Sequence, residues 1–159
     1  MYIKRKKNTL NVKVLPVNYR LEFEPIFKNF TFNGKETITI DCKESVNSIT
    51  LHCAELKIQS CYIRHAKTLQ KAVVKTDAKK EELTITIKNK IHGQAFIEIE
   101  FTGELNDRLL GFYRSQYKQN GETKYLATTQ FEAADARRAF PCWDEPQVKA
   151  TFDISIIAE

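Results

Sequence analysis

Apolar and polar residues alternate with a period of two along most of this 159-residue chain. Tyr19, Leu21 and Phe23 alternate with Arg20, Glu22 and Glu24. Ile38, Ile40 and Cys42 alternate with Thr37, Thr39 and Asp41, and Ile49, Leu51 and Cys53 with Thr50 and His52. The pattern returns at residues 83–87, 97–101 and 152–156. Residues two apart in an extended chain share a face, so each run predicts a strand with one buried and one wet side. Asn33-Gly34, His92-Gly93 and Asn120-Gly121 fall between runs. Such pairs tolerate the positive φ of tight turns and predict hairpins. The polar stretch 75–80 predicts a further surface hairpin. No segment repeats at a fixed period. The expected fold is all-β, an antiparallel twisted β-sandwich or saddle with one short helical turn.

That turn is placed at residues 132–139, EAADARRA, which are good helix formers without β-branching. Phe140-Pro141 stops it, because proline disfavours helical geometry in the residue before it. A strand over 125–131 therefore runs into about two turns of helix or an irregular turn, and a last strand occupies 150–158.

Composition narrows the class. A 42% hydrophobic and 28% charged chain is that of a globular domain. About 150 residues suffice for an independent core. Four of the five net positive charges come from Lys4, Arg5, Lys6 and Lys7. The basic excess is thus a terminal arm, residues 1–13, rather than a face spread through the fold for nucleic acid. No run of 18 apolar residues exists, and no apolar segment follows the basic start, so neither a membrane span nor a secretory leader is expected. Cys42, Cys53, Cys61 and Cys142 form no C-x-x-C pair; they read as reduced thiols in a cytoplasmic protein, with Cys42 and Cys53 packed as small hydrophobes.

Catalytic signatures are few. His52, His65 and His92 lie far apart, with no His-Glu-x-x-His, so a zinc site within the chain is not expected. His52 reads as a surface or partly packed strand residue. There is no G-x-S-x-G elbow and no glycine-rich phosphate loop. The polar density lies instead in TQFEAADARRAFPCWDEP, residues 129–146. Gln130 and Glu132 straddle Phe131, so an extended chain puts them on one face and Phe131 in the core. A carboxylate beside an amide can orient a cation such as a peptide α-amine, whose pKa is about 7.7–8.0. Spacing alone leaves blander readings open: Glu132 as a helix-start residue, Gln130 as an exposed strand residue, and Asp135, Arg137, Arg138, Asp144 and Glu145 as a structural ion-pair cluster.

The segment 129–146, with KATFDISI at 149–156, closely resembles the N-terminal domain of M1 zinc aminopeptidases, nearest to the puromycin-sensitive and tricorn-interacting-factor branches. LPVNYRLEFEP at 15–25, FNGKETITI at 32–40, ITLHCAELKI at 49–58 and GELNDRLLGFYRSQY at 103–117 extend the resemblance from about Val14 onward. The resemblance implies that residues 14–159 are that β domain, shorter than its complete form. It implies that Gln130 lines the pocket for the substrate's first side chain. Glu132 would bind the free α-amine, and the Glu132–Ala133 peptide would be cis. The zinc, its His-Glu-x-x-His helix and a Gly-x-Met-Glu-Asn loop belong to a catalytic domain absent here, so the chain alone is expected to be inactive. Peptides with a free N-terminus and that catalytic domain are the expected partners, not nucleic acid or membrane. The competing reading is a stand-alone, non-catalytic β-sandwich binding module.

Overall fold

The structure, a computed structural model, describes residues 13–158. All of the expected basic arm except Lys13, Lys4–Lys7 included, lies outside these residues. Nine strands follow in order: β1 (Val14–Ile26), β2 (Thr31–His52), β3 (Lys57–His65), β4 (Thr68–Lys71), β5 (Val73–Asp77), β6 (Glu82–Glu104), β7 (Gly111–Gln119), β8 (Glu122–Gln130) and β9 (Thr151–Ile156). One short 3-10 helix, η1 (Ala136–Arg138), separates β8 from β9. The all-β expectation holds.

Seven strands form one sheet in the order β4-β3-β6-β2-β1-β9, with β5 also on β6; β7 and β8 make a separate ribbon. The long strands β2 and β6 each serve twice. Their segments 31–42 and 93–104 pair with each other between β1 and β3. Segments 46–52 and 82–91 pair beyond a register break at Cys42 and Val46, next to β5. Such irregularities bend a strand and increase its twist. Both halves bury side chains in one core: Tyr19, Leu21, Ile38, Ile63 and Ile97 from one, Ile49, Leu51, Leu83 and Ile85 from the other. This shared core is the sandwich.

Three expectations are corrected. Pairing is antiparallel throughout except that β9 lies parallel to β1. The whole intervening chain separates these two strands, so the long crossover that a parallel pair needs is available. Asn33-Gly34 is no turn: Gly34 sits inside β2, paired with Phe23 and Phe101. A Cβ there would lie 2.3 Å from the Phe101 ring, so glycine serves the packing, and the turn falls at 27–30 instead. His92-Gly93 does not end a strand either; β6 runs through Gly93, whose φ of 73° fits a bend. Asn120-Gly121 does close the β7–β8 hairpin, with φ of 53° and 84°, the signs a type I′ turn requires. The 73–82 hairpin also forms, Asp77 opposing Glu82.

The runs read from alternation at 19–23, 38–42, 49–53, 83–87 and 97–101 bury their apolar side as expected; in β9 the phase holds but burial does not follow. Phe152, Ile154 and Ile156 oppose Tyr19, Leu21 and Phe23 across the β1–β9 pair, so they carry the inner face as the alternation predicts. All three are nevertheless exposed, because the second layer does not extend over this edge.

Candidate functional site

β8 delivers Gln130 to the end of the ribbon, opposite Gly111. The strand stops there. The chain turns through 131–135, held by the Asp135 amide donating to the Phe131 carbonyl at 2.9 Å, and enters η1. The Glu132–Ala133 peptide is cis, as the family resemblance implies. The expected helix is thus the irregular alternative: a turn and three residues of 3-10 helix. Proline at 141 and the tight turn leave no room for a second turn of α-helix.

The return segment is stitched to the sandwich. His52 and Cys142 exchange backbone hydrogen bonds of 2.7 and 3.0 Å. The Asp144 amide donates to His52 Nδ1 at 3.1 Å, and the Trp143 amide to the Tyr19 hydroxyl at 3.2 Å. His52 is therefore buried, not a surface residue. Its bridge to Cys142 covers it. Burial, then the nearby Arg137 cation, lower its pKa. The neutral ring is the form that can accept the Asp144 amide.

Charged side chains lock the same turn. Arg137 reaches Asp144 at 2.9 Å and Glu81 at 3.1 Å. Arg138 reaches Asp135 at 2.9 Å, Glu81 at 2.7 Å and Glu55 at 2.8 Å. Arg108 also pairs with Glu55, and its hydrogen bond holds that carboxyl below the usual range. The ion-pair reading of the Asp/Arg residues is borne out for Asp135, Arg137, Arg138 and Asp144. Glu55, Glu81 and Arg108 are partners that the local sequence could not reveal, since they lie tens of residues away. A partly desolvated guanidinium needs such partners, because leaving it uncompensated is costly.

Against this anchored background, Gln130 and Glu132 are exposed. Among the described residues Glu132 takes part in no salt bridge, although both arginines of the neighbouring η1, Arg137 and Arg138, engage carboxylates. Nor does Glu132 cap a helix: the N-cap of η1 is Asp135. Because the strand ends at Gln130, strict alternation does not extend to Glu132. Phe131 is not the core anchor expected. It stays 36% exposed and meets Phe140 edge-on at 6.1 Å, because the turn carries it off the strand. Phe140, Pro141 and Trp143 are buried scaffold.

The described residues of this chain do not fit a zinc ion. Among the described residues no three His, Cys, Asp or Glu side chains are grouped to ligate a metal. His52 Nδ1 is engaged, and burial pushes the Cys53 thiol up to about 12 and Cys142 well above its ordinary value, which disfavours thiolate ligands.

The family model of the Peptidase M1 N-terminal domain matches residues 15–159. The chain belongs to the M1 aminopeptidase family, as its N-terminal domain. Aminopeptidase 2 of Candida albicans is 44% identical over 99% of this chain. The alanine/arginine aminopeptidase of Saccharomyces cerevisiae is 39% identical over 96%, and the puromycin-sensitive aminopeptidase of Caenorhabditis elegans 40% identical over 91%. This M1 domain spans only 17%, 18% and 16% of their respective lengths. No helix among the described residues is long and apolar enough to cross a membrane.

Proposed function

We propose that this domain is the substrate-anchoring part of a zinc-dependent aminopeptidase. Glu132 receives the peptide's α-ammonium, and Gln130 lines the pocket of the first side chain. The observation that carries this reading is an exposed, unbridged carboxylate on a turn whose neighbouring charges are all tied down. A free carboxylate held on a rigid mount can accept a charge-assisted hydrogen bond without first breaking another. The ion-pair knot and the His52–Cys142 bridge limit movement of that mount. Fixing the amine at one point also fixes how far the chain extends beyond it. Only the first peptide bond then reaches the reacting centre. The zinc and the water it activates belong to another domain of the longer enzyme. The 159-residue chain alone is therefore expected to hydrolyse no peptide.

The test is Glu132→Ala in the full-length enzyme. A hydrogen bond to a charged group contributes about 1.5–3 kcal/mol. Loss of it corresponds to a fall in kcat/KM of about tenfold to 150-fold. Kinetics equal to the unaltered enzyme would remove the assigned role.

A further inference from the structure

The β7–β8 ribbon has two different faces, and the register says which residues share each. Phe112 is buried, its ring 5.4 Å from Phe23 and 5.1 Å from Phe32. Arg114 lies over Phe30 at 4.3 Å. Tyr125, opposite Gln116, meets Phe30 at 4.9 Å. One face of the ribbon therefore rests on the sandwich.

Tyr113 alternates with Phe112 and Arg114 and so takes the opposite face. It opposes Thr128, and Gly111 opposes Gln130. Thr128 and Gln130 are two apart on β8 and share that outer face. Gly111 cannot contribute a side chain: its φ is +67°, and a Cβ would stand 2.7 Å from Arg138 Cβ. The first β7 side chain beside Gln130 is thus Tyr113, on the diagonal. Diagonal neighbours lie about 7–8 Å apart, within reach of an aromatic ring and a long side chain.

We infer that Tyr113 is a specificity-determining residue of this domain: its ring walls the space onto which Gln130 opens, favouring N-terminal residues with long apolar or basic side chains over alanine. The inference rests on the reading that Gln130 lines that pocket. A phenol ring offers its face to an alkyl stem or to a guanidinium, whereas an alanine methyl does not span the diagonal. Thr128 completes the wall from its own strand with a small side chain that leaves the width to Tyr113.

The full-length enzyme is assayed with leucyl, arginyl and alanyl amides that share one fluorogenic leaving group. Tyr113→Ala is expected to lower kcat/KM for the leucyl and arginyl substrates about tenfold relative to the alanyl one, the scale of losing one pocket contact. Tyr113→Phe is expected to keep the order of preference. Glu132→Ala is expected to lower all three alike, since every substrate carries the amine. If Tyr113→Ala leaves the ratios unchanged, or lowers all three equally, while Glu132→Ala still acts, Tyr113 does not set specificity and anchoring stands. If Glu132→Ala changes nothing, the anchoring reading falls, while Tyr113 still stands or falls on its own substrate ratios. Should Tyr113→Ala fail to fold, Tyr113→Thr, which suits a strand, carries the same comparison and the same two outcomes.

Discussion

Glu36 shows how much a single residue can hide in a clear pattern. It opposes Leu21 on β1 and Ile99 on β6, and Cys61 opposes Ile99 from the far side. Both carboxyl oxygens are buried without a hydrogen-bond partner. Burial raises its pKa well above the ordinary value. The folded protein thus keeps a proton that the unfolded chain gives up, so stability is fullest below the ordinary carboxylate range and falls as pH rises through it. Glu36→Leu is expected to raise stability by about 1–3 kcal/mol at pH 7, the cost of an unsatisfied buried polar group. Urea unfolding at pH 5 and pH 7 checks it: the gain should be larger at pH 7. Equal gains would mean that Glu36 does not titrate as described. The position was legible in principle, because extending the phase of Ile38 and Ile40 two residues back reaches Glu36. Its type argued otherwise, since unpaired acids are rarely buried. Gly34 misled for a different reason. Asn-Gly is a turn signal locally, but the Phe101 ring that claims its space is 67 residues away in sequence. Gly34→Ala is expected to destabilise by about 1–3 kcal/mol through overpacking, measured by the shift in thermal midpoint.

At the scale of elements, β3, β4 and β7 were not read from alternation, whereas β1, β2, β6 and β9 were readable because each repeats its own evidence every second residue. The turn at 131–138 was not, because its conformation comes from elsewhere. Glu81 is 57 residues from Arg138 and still joins the two arginines of η1 to the β5–β6 turn. Removing its charge with Glu81→Gln leaves both guanidiniums short of a partner. About 1–3 kcal/mol of stability should be lost, less than for a fully buried pair because Glu81 is 34% exposed. His52 adds a second tether with a pH sign of its own. Its lowered pKa means that the folded state resists protonation, so stability is complete above the ordinary imidazole range and declines as pH falls below it. Glu36 contributes the opposite trend to both proteins, so the difference is the readout: the urea midpoint of the unaltered chain relative to His52→Gln should fall between pH 7 and pH 5. A difference that stays constant with pH would clear His52 of the effect. The proposed roles of Gln130 and Glu132 rest on the family motif rather than on alternation, which ends with β8 at Gln130, before the turn that carries Glu132.

For the whole molecule, one bent sheet supplies both layers of the sandwich, and its last strand carries core-phase residues that nothing covers among the described residues. Exposed apolar edge strands invite association with other chains. Ile154→Lys is expected to reduce self-association of the 159-residue chain, read by sedimentation, without lowering its thermal midpoint. The domain as a whole places a rigid, charge-locked turn at the end of a ribbon, with one carboxylate left available. The most direct test of what that carboxylate does is the affinity of the full-length enzyme for one slowly cleaved peptide in two forms, with a free and with an acetylated N-terminus. The unaltered enzyme should prefer the free form by at least about tenfold, and Glu132→Gln should erase most of that preference. An undiminished preference in Glu132→Gln would contradict the assignment of Glu132 as the anchor of the α-amine.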